Sequence, residues 1–425
     1  MKRTINATFL LSAVLCASAA QENPARPNEH WVTTWATAQS LAPVPPLPIA
    51  PPRADPKQAR PSPIGILPET FQNQTVRMVV RTSVGGWRVR VRVSNAFGNS
   101  RLAIGAAHIA VRLRDAAIVP GSDRVLTFGG STSFHVPPGA LVVSDPVALD
   151  VPDFADLAVS FFLPENTGTP TVHSLGLHTT YVVEGDAAGA ANPMPLSTNT
   201  AYFWLAGIDV LTPSRASAIV AFGDSITDGF GTTATRDRAW PSLLARRLTL
   251  RKSGENFAVL NEGISGNRVL RDGAGQNALA RFDRDVLSHR GVRWMILLEG
   301  INDITFSALP GMPATEAVTA GDLIWGYRQM IERAHAHQIR VAGATILPVE
   351  GVATYTESGE AVRQAVNQWI RTSKAFDAVI DFDALTRDPQ DPKKLRAEFD
   401  SGDHVHPNDA GNQVMADAID LSIFR

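Results

Sequence analysis

The chain has 425 residues, more than one ordinary domain needs, which points to two or three folding units. At 44% hydrophobic and 19% charged residues it has the composition of an ordinary soluble globular protein. A formal net charge of −2 excludes broad electrostatic capture of nucleic acid or of an anionic membrane.

The chain opens with Lys2 and Arg3, then an apolar stretch from Ala7 to Ala17. The small residues Ala17-Ser18-Ala19-Ala20 lead into the polar run Gln21-Glu22-Asn23-Pro24. This is the layout of a secretory signal peptide over residues 1–20, cleaved near Ala19 or Ala20. A buried N-terminal helix fits less well, because the stretch is short and runs into a proline-rich turn. Cys16 is the only cysteine, and Leu15 before it is too bulky for a lipoprotein cleavage site. The mature chain is therefore expected to be exported, periplasmic or extracellular, and free of disulfides. No later apolar run is long enough to span a bilayer.

His30 to Gln39 reads as a strand, and a proline-rich stretch from Pro43 to Pro68 as a long irregular loop, since proline lacks the N–H that helix and central strand need. From Thr75 to about Tyr202 the pattern is β. "TVRMVVRTS" and "WRVRVRVSN" alternate in the period of a half-buried strand, with Val89, Val91 and Val93 toward a core and Arg88, Arg90 and Arg92 outward. That arginine row reads as a solvated strand face, with uronic acid or phosphate binding as the sharper alternative. "ALVVSDPVALDV", "LAVSFFL" and "GLHTTYVV" add short strands between turn residues, so residues 21–212 are expected to form an antiparallel β-sandwich domain.

Near Thr212 the pattern changes to strands alternating with helices. "SAIVAF", "FAVLNEG", "RWMILLEG", "RVAGATIL" and "AVIDFDAL" are strands, each followed by a helical pattern, the last being "NDAGNQVMADAIDL". Five such units predict an α/β fold over residues 213–425, a parallel five-stranded α/β/α sandwich with its reacting groups at the carboxyl ends of the strands.

The first of these strands ends in Gly223-Asp224-Ser225. No Gly-Lys-Ser/Thr follows, Asp224 and Asp228 would repel phosphate, and "GDSITDGFG" lacks the G-x-G-x-x-G spacing, so neither nucleotide-loop reading holds. Ser225 as a nucleophile needs a base and a group to orient it. "DSGDHVHPND" offers both: Asp403 and His406 are three apart, close enough for the carboxylate to bond one ring nitrogen and leave the other for Ser225. An oxyanion would be met by the backbone N–H of Ser225, by that of Gly266 in "NEGISGNRV", and by the amide of Asn302 in "LLEGINDI".

Gly223–Ser225, Gly266, Gly300–Asp303 and Asp403–His406, in this order, resemble the sequence blocks of the SGNH, or GDSL-type, hydrolase superfamily over Ser217 to Arg425. The resemblance implies a nucleophile Ser225, a base His406, an orienting acid Asp403, an oxyanion hole of Ser225, Gly266 and Asn302, and no cofactor or metal. The fourth block is often GDGVHP in relatives; here His404 precedes Val405. "HWVTTWATAQ" and "VRVSNAFG" upstream are similar to a subgroup of secreted bacterial acylhydrolases, which suggests acylated plant polysaccharide as substrate.

The remaining chemistry-bearing residues have plainer readings. Asp224 bonds neighbouring backbone, and Asp303 caps a helix. His404 with His406 lacks a third metal ligand. His335 and His337 lie on different faces of a helix at the surface. Trp240, Trp294, Trp325 and Trp369 are core, while Trp31, Trp35 and Trp87 are divided between packing and carbohydrate contact. The expected activity is a secreted serine esterase acting on small-molecule or polysaccharide esters, acetyl foremost. An arylesterase or lysophospholipase, a carbohydrate O-acyltransferase, and a binding module with a vestigial site are the alternatives.

Overall fold

The computed structural model describes residues 29–41, 67–213, 215–251 and 255–425. The signal-peptide assignment and all but the end of the proline-rich stretch lie outside these residues.

Two antiparallel sheets build the N-terminal part. One runs Glu29–Ala36, Leu205–Pro213, Gly86–Ser94, Leu141–Val143, with Val147–Val151 also on Gly86–Ser94. The other centres on Gln74–Arg81 between Thr180–Glu184 and Asp156–Leu163, with Ala106–Arg114 beyond. Their inner faces interdigitate: Val76, Met78 and Val80 meet Val89, Val91, Val93, Ile208 and Val210 in one buried cluster. The alternation seen in the sequence is thus the alternation of a sandwich core with its outer faces. A small sheet of Ser40–Leu41, Thr171–His173 and Tyr202–Phe203 sits beside it.

The C-terminal part is a five-stranded sheet, wholly parallel, in the order Asn256–Gly263, Ala216–Gly223, Val292–Leu298, Arg340–Ala344, Ala378–Ile380. All eight residues of Ala216–Gly223 are buried, as expected for a strand covered on both faces. The helices are α1 (Ser225–Asp228), α2 (Trp240–Thr249), α3 (Ala278–Phe282), α4 (Ile301–Phe306), α5 (Ala320–Ala336), α6 (Glu357–Thr372), α7 (Phe382–Thr386) and α8 (Asp409–Ala418). The crossover through α2 runs one way across the sheet and those through α3, α5 and α6 run the other, so by the right-handed rule they lie on opposite faces; α8, after the last strand, packs on α2 as α5 packs on α6. The first strand is flanked by the second and third, so the chain reverses direction across the sheet beside its carboxyl end. Open α/β sheets bind ligands at such a switch point.

The two parts share packing. Val32, Ala36 and Val84 of the sandwich belong to the same buried cluster as the parallel sheet. Thr33 donates its N–H to the Arg290 carbonyl at 3.1 Å and accepts the Arg290 N–H at 2.9 Å. The arginine row corrects the solvated reading. Arg90 lies 4.2 Å over the Trp31 ring and bonds Asp209 at 3.1 Å. Arg92 is 4% exposed and reaches Ser288 and His289 of the other domain. Period-two alternation told which side of the sheet these arginines leave by; it carried no information on the domain that covers them.

Candidate active site

The strand Ala216–Gly223 delivers Ser225 to the first position of α1. Asp224 adopts extended backbone and its carboxylate accepts the Ile226 N–H at 2.9 Å, capping the helix. Gly229, at φ 105°, ends the helix after one turn and returns its N–H to the Ser225 carbonyl. A side chain at Gly229 would meet Ala239 and Leu177 and would be strained at that φ. The turn is therefore held at both ends, with Ser225 at the sheet's carboxyl edge.

Asp403 and His406 come from the segment before α8, His406 lying 181 residues beyond Ser225. His406 Nε2 lies 2.7 Å from Ser225 Oγ, and His406 Nδ1 lies 2.7 Å from Asp403 Oδ2. The second Asp403 oxygen accepts the N–H groups of Val405 and His406 at 3.0 and 2.9 Å. Burial works against the Asp403 charge, but the His406 ring and these donors outweigh it and hold the carboxyl well below its usual range. An ionised carboxylate only accepts, so Nδ1 carries a proton and, in the neutral ring, Nε2 is the acceptor facing Ser225. Phe230 packs on the imidazole at a centroid distance of 4.4 Å.

Two further loops close on this edge. After Asn256–Gly263 the chain turns through Gly266, at φ 82°. After Val292–Leu298 it enters α4, which carries Asn302, 2% exposed. Asn302 donates one Nδ2 hydrogen to the Asn267 carbonyl at 2.9 Å, which leaves the other available. Asp303 does not cap its helix as the sequence suggested. It reaches the other loop and accepts the N–H groups of Val269 and Leu270 at 2.7 and 3.1 Å, tying α4 to the Gly266 segment. Burial pushes the Asp303 carboxyl up to about 6 and the Asp224 carboxyl up to about 7.

His404 stands apart from this cluster: its ring is half exposed and bonds Asp400 at 2.7 Å. His335 is a surface residue paired with Asp377. Trp240 and Trp294 are core, but Trp325 is 56% exposed. Trp35 packs edge-on against Tyr202, and Trp31 under Arg90.

Residues 221–414 match the model of the GDSL-like Lipase/Acylhydrolase family. The C-terminal part of the chain is a GDSL-type hydrolase domain. No curated protein matches the chain. Similar solved structures include the native aryl esterase of M. Smegmatis, at 18% identity over 48% of this chain and 95% of that one, TM-score 0.37. A carbohydrate acetylesterase from Sinorhizobium meliloti is 15% identical over 47% of this chain and 94% of that one, TM-score 0.36. A mutant acetyl-xylooligosaccharide esterase from Geobacillus Stearmophilus is 21% identical over 49% and 94%, TM-score 0.39. The GDSL domain makes the chain a carboxylic ester hydrolase.

One residue of the GDSL domain had no signal in the sequence. Arg281 of α3 is wholly buried beneath the site. Its guanidinium donates to the Gly223 carbonyl at 2.9 Å, the Glu262 carbonyl at 2.8 Å, and Asn267 Oδ1 at 2.9 Å. It also pairs with Asp285 at 3.1 Å and lies 4.0 Å over the Phe222 ring. It therefore clamps the ends of two strands and the loop that carries Gly266 and Asn267 at once. Arg281→Leu removes every one of these donors and leaves buried acceptors behind. It is expected to cost about 3–5 kcal/mol of unfolding free energy, read by urea denaturation at constant slope.

Proposed function

We propose that this chain is a secreted serine esterase that hydrolyses short-chain esters, acetyl foremost, on a carbohydrate alcohol, with Ser225 as nucleophile. The observation that carries the reading is the bridge made by one imidazole, 2.7 Å from the Ser225 hydroxyl on one side and 2.7 Å from the Asp403 carboxylate on the other. Ser225 Oγ attacks the ester carbonyl carbon while its proton passes to His406 Nε2. The new negative charge on the carbonyl oxygen is met by the N–H groups of Ser225 and Gly266 and the free Nδ2 hydrogen of Asn302. His406 returns the proton to the departing alcohol, leaving an acyl-enzyme. Water then gives a proton to His406, attacks the acyl carbon, and the acid leaves as the proton returns to Ser225.

The carbohydrate alcohol rests on the likeness of the N-terminal sequence to secreted acylhydrolases. Among the described residues no helix is long and apolar enough to cross a membrane.

The test is a panel of p-nitrophenyl esters of rising chain length run beside acetylated xylan. Acetate is expected to give the highest kcat/KM, with acetate release from the polymer. Preference for octanoyl or longer chains, or indifference to the polymer, would overturn the substrate assignment. Conversion of an acyl donor and a sugar mainly into new ester would make the enzyme a transferase.

A further inference from the structure

His173 lies in the N-terminal half, on the small sheet, yet it is packed against the GDSL domain. Its Nδ1 is 2.7 Å from the Ala38 carbonyl. Its Nε2 is 3.1 Å from Asp228 Oδ1 and 3.2 Å from the Leu175 carbonyl. A carbonyl oxygen can only accept, and so can a carboxylate. A neutral imidazole has one donor and would leave one of these contacts lone pair against lone pair. Both ring nitrogens therefore carry hydrogen, and the ring is an imidazolium paired with Asp228, with both side chains buried.

Asp228 is the last residue of α1, one turn beyond Ser225. Its other oxygen accepts both the N–H and the hydroxyl of Ser265, at 2.9 and 2.6 Å. Ser265 immediately precedes Gly266. A continuous set of bonds thus runs from the Ala38 backbone through His173 and Asp228 to the peptide that supplies an oxyanion donor. The α1 end of the same turn is tied to the neighbouring strand by Asn261, whose Nδ2 donates to the Thr227 carbonyl at 2.8 Å.

We infer that His173 is a positioning residue of the esterase, contributed by the N-terminal domain: as an imidazolium it fixes Asp228, and Asp228 fixes the Ser265–Gly266 peptide against the developing oxyanion. The inference rests on the Ser225 reading above and adds a role for the N-terminal domain in turnover. It also predicts an alkaline limit. Burial lowers the affinity of this ring for its second proton, but the Asp228 charge and bond and the Ala38 carbonyl raise it further, so the net shift is upward from the ordinary imidazole value. A raised histidine contributes stability that is complete below its unfolded pKa and lost as pH rises through the folded one. The groups facing the ring are Asp228 from α1, Glu262 from the adjoining strand, and Tyr202, whose ring stacks at 6.3 Å. Arg81, His178, Asp237 and Arg246 line the same cleft. Burial holds Glu262 and Tyr202 well above their usual ranges.

The experiment compares wild type with His173→Gln, Ser265→Ala and Asp228→Asn on p-nitrophenyl acetate. His173→Gln is expected to lower kcat by about tenfold to a hundredfold with KM within about twofold, because a misplaced donor is felt in the transition state and not in substrate binding. Ser265→Ala should lower kcat in the same sense by less. Asp228→Asn should move the alkaline limb of the kcat–pH profile down by about one unit or more, since the charge that holds the imidazolium is gone. A His173→Gln enzyme with wild-type kcat, or an Asp228→Asn profile with an unmoved limb, overturns the inference. Should His173→Gln fail to fold, the Asp228→Asn profile and Ser265→Ala decide. Fluorophosphonate labelling keeps the two readings apart: an unlabelled wild type is a failure of the nucleophile assignment, whereas a labelled wild type with indifferent His173 and Asp228 variants is a failure of this inference alone.

Discussion

Replacing Ser225 by alanine is expected to lower kcat by roughly 10⁴-fold or more, with the fold intact. The hydroxyl lies 2.7 Å from the His406 Nε2 that would take its proton. Without it no acyl-enzyme forms, and what remains is the stabilisation that oxyanion donors and binding offer to attack by water. The side chain is small and sits at a helix start already capped by Asp224, so the loss is one of chemistry rather than packing. Steady-state rates and a thermal melt on the same preparation check both halves. A variant with near-normal ester hydrolysis would remove the mechanism.

Asp403→Asn should lower kcat by about 10⁴-fold with the structure retained. The carboxylate does two things that an amide of the same shape cannot do together. One oxygen accepts the His406 Nδ1 hydrogen and the other accepts two backbone N–H groups, so both ends of the group must be acceptors. Asparagine has one acceptor. If its oxygen stays on the backbone donors, its NH₂ faces Nδ1 and favours the ring tautomer with hydrogen on Nε2. That ring cannot accept the Ser225 proton. The carboxylate's depressed pKa has a second consequence. Its contribution to stability is complete above the ordinary carboxylate range and is lost as pH falls through the depressed folded value. Wild type should therefore lose stability on strong acidification by an increment that Asp403→Asn lacks, read as the difference in their Tm–pH curves below about pH 4.

The parallel sheet was legible because five apolar runs, each with a helical pattern behind it, leave little freedom of topology, and Gly223-Asp224-Ser225 falls where the first run ends. Ser225, Gly266, Asn302, Asp403 and His406 could be singled out as candidates because they fall, in order, in short blocks after predicted strands and before the last helix. The structure brings His406 within bonding distance of Ser225 on one side and of Asp403 on the other. What escaped the sequence are contacts that depend on the third dimension. Arg281 reads as one more charged residue on a helix, yet the sheet's carboxyl edge closes around it. Arg92 alternates like its neighbours, but a second domain covers it. Asp303 follows Asn302 as a capping acid would, and instead stretches to a loop more than thirty residues back. His173 has no local pattern at all. Ala38, 135 residues before it, is brought to it by the small N-terminal sheet, and Asp228, 55 residues after it, by the packing of that sheet on the GDSL domain.

The most direct measurement is the site of covalent capture. Purified enzyme treated with a fluorophosphonate and digested should carry one adduct, on the peptide containing Ser225, with activity lost in step with labelling and no adduct on Ser225→Ala. An active enzyme that takes up no label, or carries it on a different residue, would contradict the assignment of the nucleophile and everything built on it.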